Sequence, residues 1–340
     1  LTLTLLRVRS YPRGAVELTV SPEVPEVRWR SPEIEHPFCG AFGVPGFQKV
    51  SRDAKGRIHL AMVPFALSNP DTTLETLIQQ MQTHSGAIPL GESAMGPVFW
   101  DPRQVAHLIL AGTTGSGKST LLRSILTLWK HRGASIYLVD VKRGLDYLDL
   151  LPHLAAPVLA NPAEAVTLLE QLWQEFESRL EQLRQSGFSS FAQAQNQGQL
   201  RHLPEIVLVV DEFAIFARSE STKAAKETRL QALQILENLA LGGRAGGLHL
   251  ILSTQYPTAE ILGSQIRQQA LRISGRLEDK VASQTVLGTE GAESISSTTP
   301  GRFLMKDGPD VVEFQAYALP SPGPEHGFQS ISCKGTATRP

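Results

Sequence analysis

His107-Leu108-Ile109-Leu110-Ala111-Gly112-Thr113-Thr114-Gly115-Ser116-Gly117-Lys118-Ser119-Thr120 passes from a short apolar run through a glycine-rich turn into a segment carrying Leu121, Leu122, Ile125 and Trp129 at helical spacing. The turn fits G-x-x-x-x-G-K-[ST]. In that pattern glycines let backbone N–H groups fold around phosphate oxygens, and the following helix adds the partial positive charge of its N-terminus. The lysine, Lys118, reaches the terminal phosphates, and the Ser119 hydroxyl binds Mg²⁺. An accidental glycine turn is the rival reading, but the strand-loop-helix context counts against it. Gly112, Thr113, Thr114, Gly115, Ser116, Gly117, Lys118, Ser119 and Thr120 are therefore the nucleotide-binding candidates, with ATP and Mg²⁺ as the expected ligands.

Outward from this loop, the runs 135–139, 206–210, 248–252 and 270–274 are as apolar as His107–Ala111 and about strand length. Such runs read as buried parallel strands. Amphipathic segments separate them. One is opened by Asn161-Pro162-Ala163-Glu164, close to a capping box, and another is expected over 228–241. Strand-helix alternation of this kind predicts an α/β fold with a parallel central sheet and helices on both faces.

Residues 1–87 have a different texture, with short alternations broken by Pro and Gly. A hairpin is expected at Asp53-Ala54-Lys55-Gly56 and a helix opening at Asn69-Pro70. The expected organisation is a small α/β appendage over 1–87, the nucleotide-binding unit over 88–319, and a disordered Pro/Gly/Ser-rich tail over 320–340.

Composition narrows the function further. Lys+Arg 32 against Asp+Glu 33 gives a formal charge of -1, which argues against a whole-molecule polyanion binder. Cys39 and Cys333 are far apart and outside any metal-ligand spacing, as expected in a reducing cytoplasm. No apolar run approaches the ~20 residues of a membrane-spanning helix. The chain begins with Leu rather than Met and reads as a fragment, leaving open membrane association through an upstream anchor.

Four further signals bear on chemistry. Residues 206–210 run into Asp211-Glu212. Many strands end in a solvated acid, but beside a phosphate loop this is the Walker B form, with Asp211 supporting the metal and Glu212 polarising a water. Gln255, in Ser253-Thr254-Gln255, ends a neighbouring strand and is a candidate sensor of the γ-phosphate. Asp140-Val141-Lys142 ends another strand without an evident role. Gly242-Gly243-Arg244-Ala245-Gly246-Gly247 reads as a flexible loop whose Arg244 is either an arginine finger or a solvated cation.

In order, these motifs resemble one family. From about Ile88 to Ala318 the chain is similar to the motor of the FtsK/SpoIIIE DNA translocases, within the FtsK–HerA class of P-loop ATPases. The likeness runs through the phosphate loop, Asp140-Val141-Lys142, Leu151-Pro152-His153-Leu154, Val210-Asp211-Glu212-Phe213-Ala214, Gly243-Arg244-Ala245-Gly246-Gly247, Ser253-Thr254-Gln255, Gly291-Ala292-Glu293-Ser294 and Pro300-Gly301-Arg302-Phe303-Leu304. The resemblance implies a RecA-like sheet, a homo-hexameric ring, and ATP hydrolysis at subunit interfaces coupled to movement of double-stranded DNA. It implies that Arg244 acts in trans, that Lys280 lies near the same interface, and that Gln255 is the polar sensor. Departures are Gln284, where the family often has a basic residue, the segment Ile295-Ser296-Ser297-Thr298-Thr299, and nothing like a winged helix after Tyr317.

A DNA-moving ring needs cations along its pore that touch phosphates without reading bases. The candidate connections are 185–204, with Arg201 and His202, and 217–229, with Arg218, Lys223, Lys226 and Arg229. Ordinary solvated charge explains these residues equally well. Two alternatives to a DNA translocase stay open: an ATPase of this type powering polypeptide secretion, and a conjugative coupling or plasmid-maintenance ATPase.

Overall fold

The computed structural model describes residues 5–10, 16–21, 34–35, 38–39, 47–52, 55–62, 70, 72–217, 222–260, 262–308 and 310–319. The leading part forms an antiparallel sheet ordered β1-β2-β4-β3, from β1 (Leu5–Ser10), β2 (Val16–Val20), β3 (Phe47–Arg52) and β4 (Ile58–Met62). β3 and β4 are the hairpin expected around Asp53-Ala54-Lys55-Gly56. Leu18, Val20, Cys39, Phe47, Val50, Ile58 and Leu60 form its separate small core.

A second sheet, of nine strands, has the order β6-β5-β13-β12-β11-β7-β10-β9-β8. Its members are β5 (Ile88–Ser93), β6 (Gly96–Trp100), β7 (His107–Ala111), β8 (Ser135–Asp140), β9 (Ile206–Asp211), β10 (Leu248–Thr254), β11 (Ala270–Ser274), β12 (Arg302–Asp307) and β13 (Asp310–Ala316). The five apolar runs of the sequence are the parallel part, β11-β7-β10-β9-β8. The remaining strands extend the sheet from β11 as antiparallel neighbours. Three of these carry mixed, half-polar patterns and β6 is a short run opened by Gly96-Pro97, so periodicity did not single them out as sheet members.

Alternation along each parallel strand builds two cores, as expected for a sheet covered on both faces. Leu108, Leu110, Val207, Val209 and Ile251 point to one face, where the helix Lys118–His131 brings Leu121, Leu122, Ile125 and Trp129. Ile109, Ala111, Leu208, Val210, Leu250 and Leu252 point to the other, against the long helices Pro162–Gln185 and Lys223–Gly246. Asn161 caps the first of these, accepting from the Glu164 N–H at 3.0 Å.

Two local expectations are revised. The helix read from Asn69-Pro70 runs over Leu74–Thr83, with Thr73 as its cap; Asn69 lies outside the described residues. Leu77 and Met81 of that helix share a core with Ile88, Trp100 and Trp129. Second, the glycine-rich stretch around Arg244 is no loop. It forms the last turns of the helix Lys223–Gly246, and the helix ends at Gly247 in the left-handed conformation (φ 71°). Its glycines serve close packing: a Cβ on Gly242 or Gly246 would lie 2.7 Å from the Phe176 ring, and one on Gly243 2.8 Å from the Leu248 carbonyl oxygen.

Candidate functional site

The C-terminal ends of β7, β8, β9 and β10 bring the predicted chemistry together. β7 delivers the loop Gly112–Ser119, and the loop is braced both by the neighbouring strand β10 and from outside the parallel strands. The Thr113 N–H donates to the Arg276 carbonyl at 2.8 Å, Gly112 N–H to that of Thr254 at 3.2 Å, and Gly301 N–H to that of Ser116 at 2.8 Å. Gly117 is left-handed (φ 93°), and a Cβ there would meet the Gly301 nitrogen at 2.7 Å. Gly301 is held in turn by Gln315, whose Nε2 donates to the Pro300 carbonyl at 2.9 Å, while Gln315 Oε1 accepts from Arg302 Nε at 3.1 Å. The antiparallel hairpin β12–β13 is thus the outer wall of the phosphate loop. Pro300-Gly301-Arg302 had drawn notice in the sequence only by family likeness.

Lys118 opens the following helix with its side chain buried. Its ammonium donates to Ser253 Oγ at 2.7 Å and lies 3.4 Å from Asp211 Oδ1 and 3.8 Å from Glu212 Oε2. Asp211 Oδ1 also accepts from Ser253 Oγ at 2.6 Å and from the Glu212 N–H at 3.0 Å, and Oδ2 accepts from the Tyr147 hydroxyl at 2.7 Å. Burial alone would raise the Asp211 carboxyl; Lys118 and these donors outweigh it and hold it below the usual carboxylate range. Burial and the neighbouring Asp211 charge push the Tyr147 phenol well above its ordinary value, so it stays a donor.

Glu212 sits in the left-handed region (φ 56°, ψ 53°), a costly backbone for a residue with a Cβ. That kink starts the one-turn helix Phe213–Phe216 and turns the carboxylate toward β10. There Oε1 accepts the Gln255 N–H at 3.1 Å. Gln255 Oε1 accepts from the Thr114 hydroxyl at 2.8 Å, so the expected sensor does touch the phosphate loop. Ser253 and Tyr147 escaped the sequence reading. Ser253 carries the signal of a polar residue at a parallel strand end; Tyr147 closes the single 3-10 turn Leu145–Tyr147, with none.

The residues fit a nucleoside triphosphate with a divalent cation. Ser116 Oγ is buried without a partner beside the glycine turn, Lys118 supplies a confined cation, and Asp211 is held ionised. Among the described residues no cluster of three or more His, Cys, Asp or Glu can bind a metal by itself. A magnesium ion would therefore depend on phosphate oxygens together with Ser119 and Asp211, the pattern usual for Mg²⁺. Thr120 follows on the same helix and is exposed.

Other candidates lie elsewhere. Asp140 is buried, and its oxygens accept the Lys142 and Gly144 N–H groups at 3.0 and 2.7 Å, so it shapes a turn. Burial, with Asp211 and Asp146 nearby, raises its carboxyl above the ordinary range despite those bonds. Arg244 is exposed at the opposite end of the parallel strands, on the rim of a cleft of about 630 Å³, with His107, Phe191, Glu205 and His249. Lys280 pairs with Glu290 at 2.8 Å, and Gln284 reaches the same carboxylate at 3.4 Å. Arg201 and Lys226 are exposed, Lys223 lies 3.9 Å from Glu227, and Arg218 is outside the described residues. Among the described residues, no hydrogen bond or ion pair joins Arg201, Lys223 or Lys226 to the phosphate loop.

A mainly parallel sheet with this loop, acid pair and sensor strand defines a P-loop nucleotide-binding domain of the ATPase type. The FtsK/SpoIIIE family model matches residues 74–259, more than half of the chain, and the chain belongs to that family. The DNA translocase FtsK of Staphylococcus aureus (strain Mu50) is 33% identical over 224 residues, 61% of this chain and 27% of that protein. The Helicobacter pylori (strain J99) DNA translocase FtsK is 29% identical over 233 residues, 65% of this chain and 26% of its own. The chain thus spans about a quarter of the length of these curated relatives. The pCW3 conjugation coupling protein TcpA, solved in monomer form with ATPγS, superposes with a TM-score of 0.68 at 26% identity, over 94% of this chain and 90% of that one. The cytoplasmic domain of the Thermomonospora curvata type VII secretion ATPase EccC follows at TM-score 0.56 and 26% identity, over 75% of this chain and 30% of that one. Among the described residues no helix is long and apolar enough to cross a membrane.

Proposed function

We propose that this chain is the motor of an ATP-driven DNA translocase, hydrolysing ATP with Mg²⁺ at the subunit interfaces of a homo-hexameric ring to move double-stranded DNA in the cytoplasm. One observation carries the hydrolytic part: Glu212 is kinked out of its strand and anchored by the Gln255 N–H, beside Lys118 and Asp211. A carboxylate so placed can orient and deprotonate a water, and Lys118 is the cation at hand for the terminal phosphates. Bound magnesium would supply charge neutralisation between phosphates.

The ring is supported by how the apolar surface is distributed. Leu145, Leu148, Ile215 and Tyr256 are large exposed hydrophobics that follow β8, β9 and β10 at the nucleotide end of the strands. Arg244 sits at the other end, as a head-to-tail ring in which each subunit completes its neighbour's site would require. In this reading 1–87 is an accessory unit, 88–319 the motor and 320–340 a tail. Arg201, Arg218, Lys223 and Lys226 remain the proposed cations for DNA phosphates.

The near end-to-end superposition on TcpA favours one particular setting, a conjugation coupling motor, over polypeptide secretion. The deciding measurement is the ATPase rate with and without linear duplex DNA. Stimulation by duplex supports translocation. Stimulation by a secretion-substrate peptide instead, with DNA inert, would transfer the chain to the export class.

A further inference from the structure

We propose that Tyr147 is a positioning residue of this site, its hydroxyl fixing the Asp211 carboxylate in the orientation from which it supports a divalent cation. The proposal rests on the reading of Lys118 and Asp211 as a nucleotide–magnesium site and adds a residue that no part of that reading contains.

The donors around Asp211 are unevenly shared. Ser253 Oγ, the Glu212 N–H and the Lys118 ammonium all gather on Oδ1, at 2.6, 3.0 and 3.4 Å. Among the described residues only Tyr147 bonds Oδ2, at 2.7 Å. Lys118 must leave Ser253 and Asp211 to reach a phosphate, so the bonds on the Oδ1 side rearrange whenever nucleotide arrives. The bond on Oδ2 need not. A hydrogen bond kept at one oxygen restrains rotation of the carboxylate about its Cβ–Cγ axis when the other loses a partner, and outer partners of this kind are what orient metal-supporting groups.

The phenol is brought there by a built turn. Asp140, which pairs in register with Asp211 on the adjacent strand, caps Lys142 and Gly144 through its two oxygens. Gly144 is left-handed (φ 79°), and its carbonyl accepts the Tyr147 N–H at 2.9 Å. The ring is fully buried with Leu138 and Leu150, so its hydroxyl is satisfied by Asp211 rather than by water. This also gives Asp140-Val141-Lys142 a use: the motif sets the turn that aims the phenol.

The test is equilibrium binding of a fluorescent ATP analogue to the full chain, followed by anisotropy as Mg²⁺ is raised and again in EDTA, with melting curves for every protein. Tyr147→Phe should need about 10-fold or more Mg²⁺ for half-maximal binding, with affinity in EDTA and melting temperature close to wild type. Leu150→Ala, a buried neighbour that does not bond Asp211, should melt earlier yet keep the wild-type Mg²⁺ dependence. If Tyr147→Phe does not fold, Tyr147→Met, a smaller and more flexible side chain without a hydroxyl, carries the same expectation. A Tyr147→Phe curve that overlays a magnesium-responsive wild type, or an equal shift in Leu150→Ala, overturns the positioning role and leaves the nucleotide site intact. A wild type whose binding ignores magnesium overturns the site reading and this proposal together.

Discussion

Lys118 and Arg244 stand at opposite ends of two adjacent parallel strands, β7 and β10. Lys118 follows the C-terminal end of β7, whereas Arg244 lies in the last turn of the helix that feeds the N-terminal end of β10. β10 pairs directly with β7, Thr254 opposite Ala111, and spans seven residues, roughly 20 Å. Arg244 therefore cannot reach its own subunit's phosphate loop without dismantling the sheet.

If Arg244 acts on a neighbour, Arg244→Ala should lower ATPase activity by about 10³-fold or more. Mixing it with inactive Lys118→Ala should restore part of the activity, because some interfaces then join an intact Lys118 to an intact Arg244. The readout is turnover across mixing ratios, and a flat, inactive series would count against a finger in trans.

If Glu212 polarises the attacking water, its replacement should separate binding from hydrolysis. Glu212→Gln keeps the shape and an oxygen for the Gln255 N–H, so ATP affinity should stay near wild type while turnover falls by about 10²- to 10⁴-fold. Filter binding and phosphate release on the same preparation check this. Undiminished turnover would remove Glu212 from the chemistry.

The glycines before Arg244 should behave as packing residues. In Gly246→Ala the new methyl meets the Phe176 ring, since an ideal Cβ lies 2.7 Å from its Cδ2. Overpacking of this kind costs about 1–3 kcal/mol. Thermal melting should show the loss, and Phe176→Leu should recover part of it in the double variant. A flexible-loop role for Gly246 would instead leave melting unchanged.

His107 predicts a pH dependence of stability. It is buried at the start of β7, and burial, with His249 alongside, lowers its pKa to about 3. Above the ordinary value of 6.5 it is neutral in folded and unfolded chains alike. Below that value only the unfolded chain takes the proton, so stability falls by about 1.4 kcal/mol per pH unit until the folded value is reached. Urea unfolding at about pH 7 and about pH 5 should differ by about 2 kcal/mol from this group. In His107→Gln that part of the difference should vanish.

The parallel strands and the phosphate loop were legible because their signals are local: an apolar run of strand length, and glycines followed by Gly117-Lys118-Ser119. Helix caps such as Asn161 were equally plain. The antiparallel strands β5, β6, β12 and β13 were not: β5, β12 and β13 bury the polar Ser93, Arg302 and Gln315, β6 opens on Gly96-Pro97, and the two hairpins join the sheet through the β5–β13 and β11–β12 pairings between segments distant in sequence. Gly242-Gly243-Arg244 misled for a related reason. Glycine reads as freedom along the chain, but at these positions it makes room for Phe176 and Leu248.

The sequence by itself determined the sheet's parallel centre, the glycine-rich loop before Lys118, and the acid pair Asp211-Glu212 at a strand end, because strand periodicity and loop composition are written in consecutive residues. Only the tertiary structure decided that Ser253 and Tyr147 meet Asp211, that Gly301 backs Gly117, and that Arg244 faces away from its own site. Those relations join residues tens of positions apart, and chain packing, rather than local pattern, sets the distances between them.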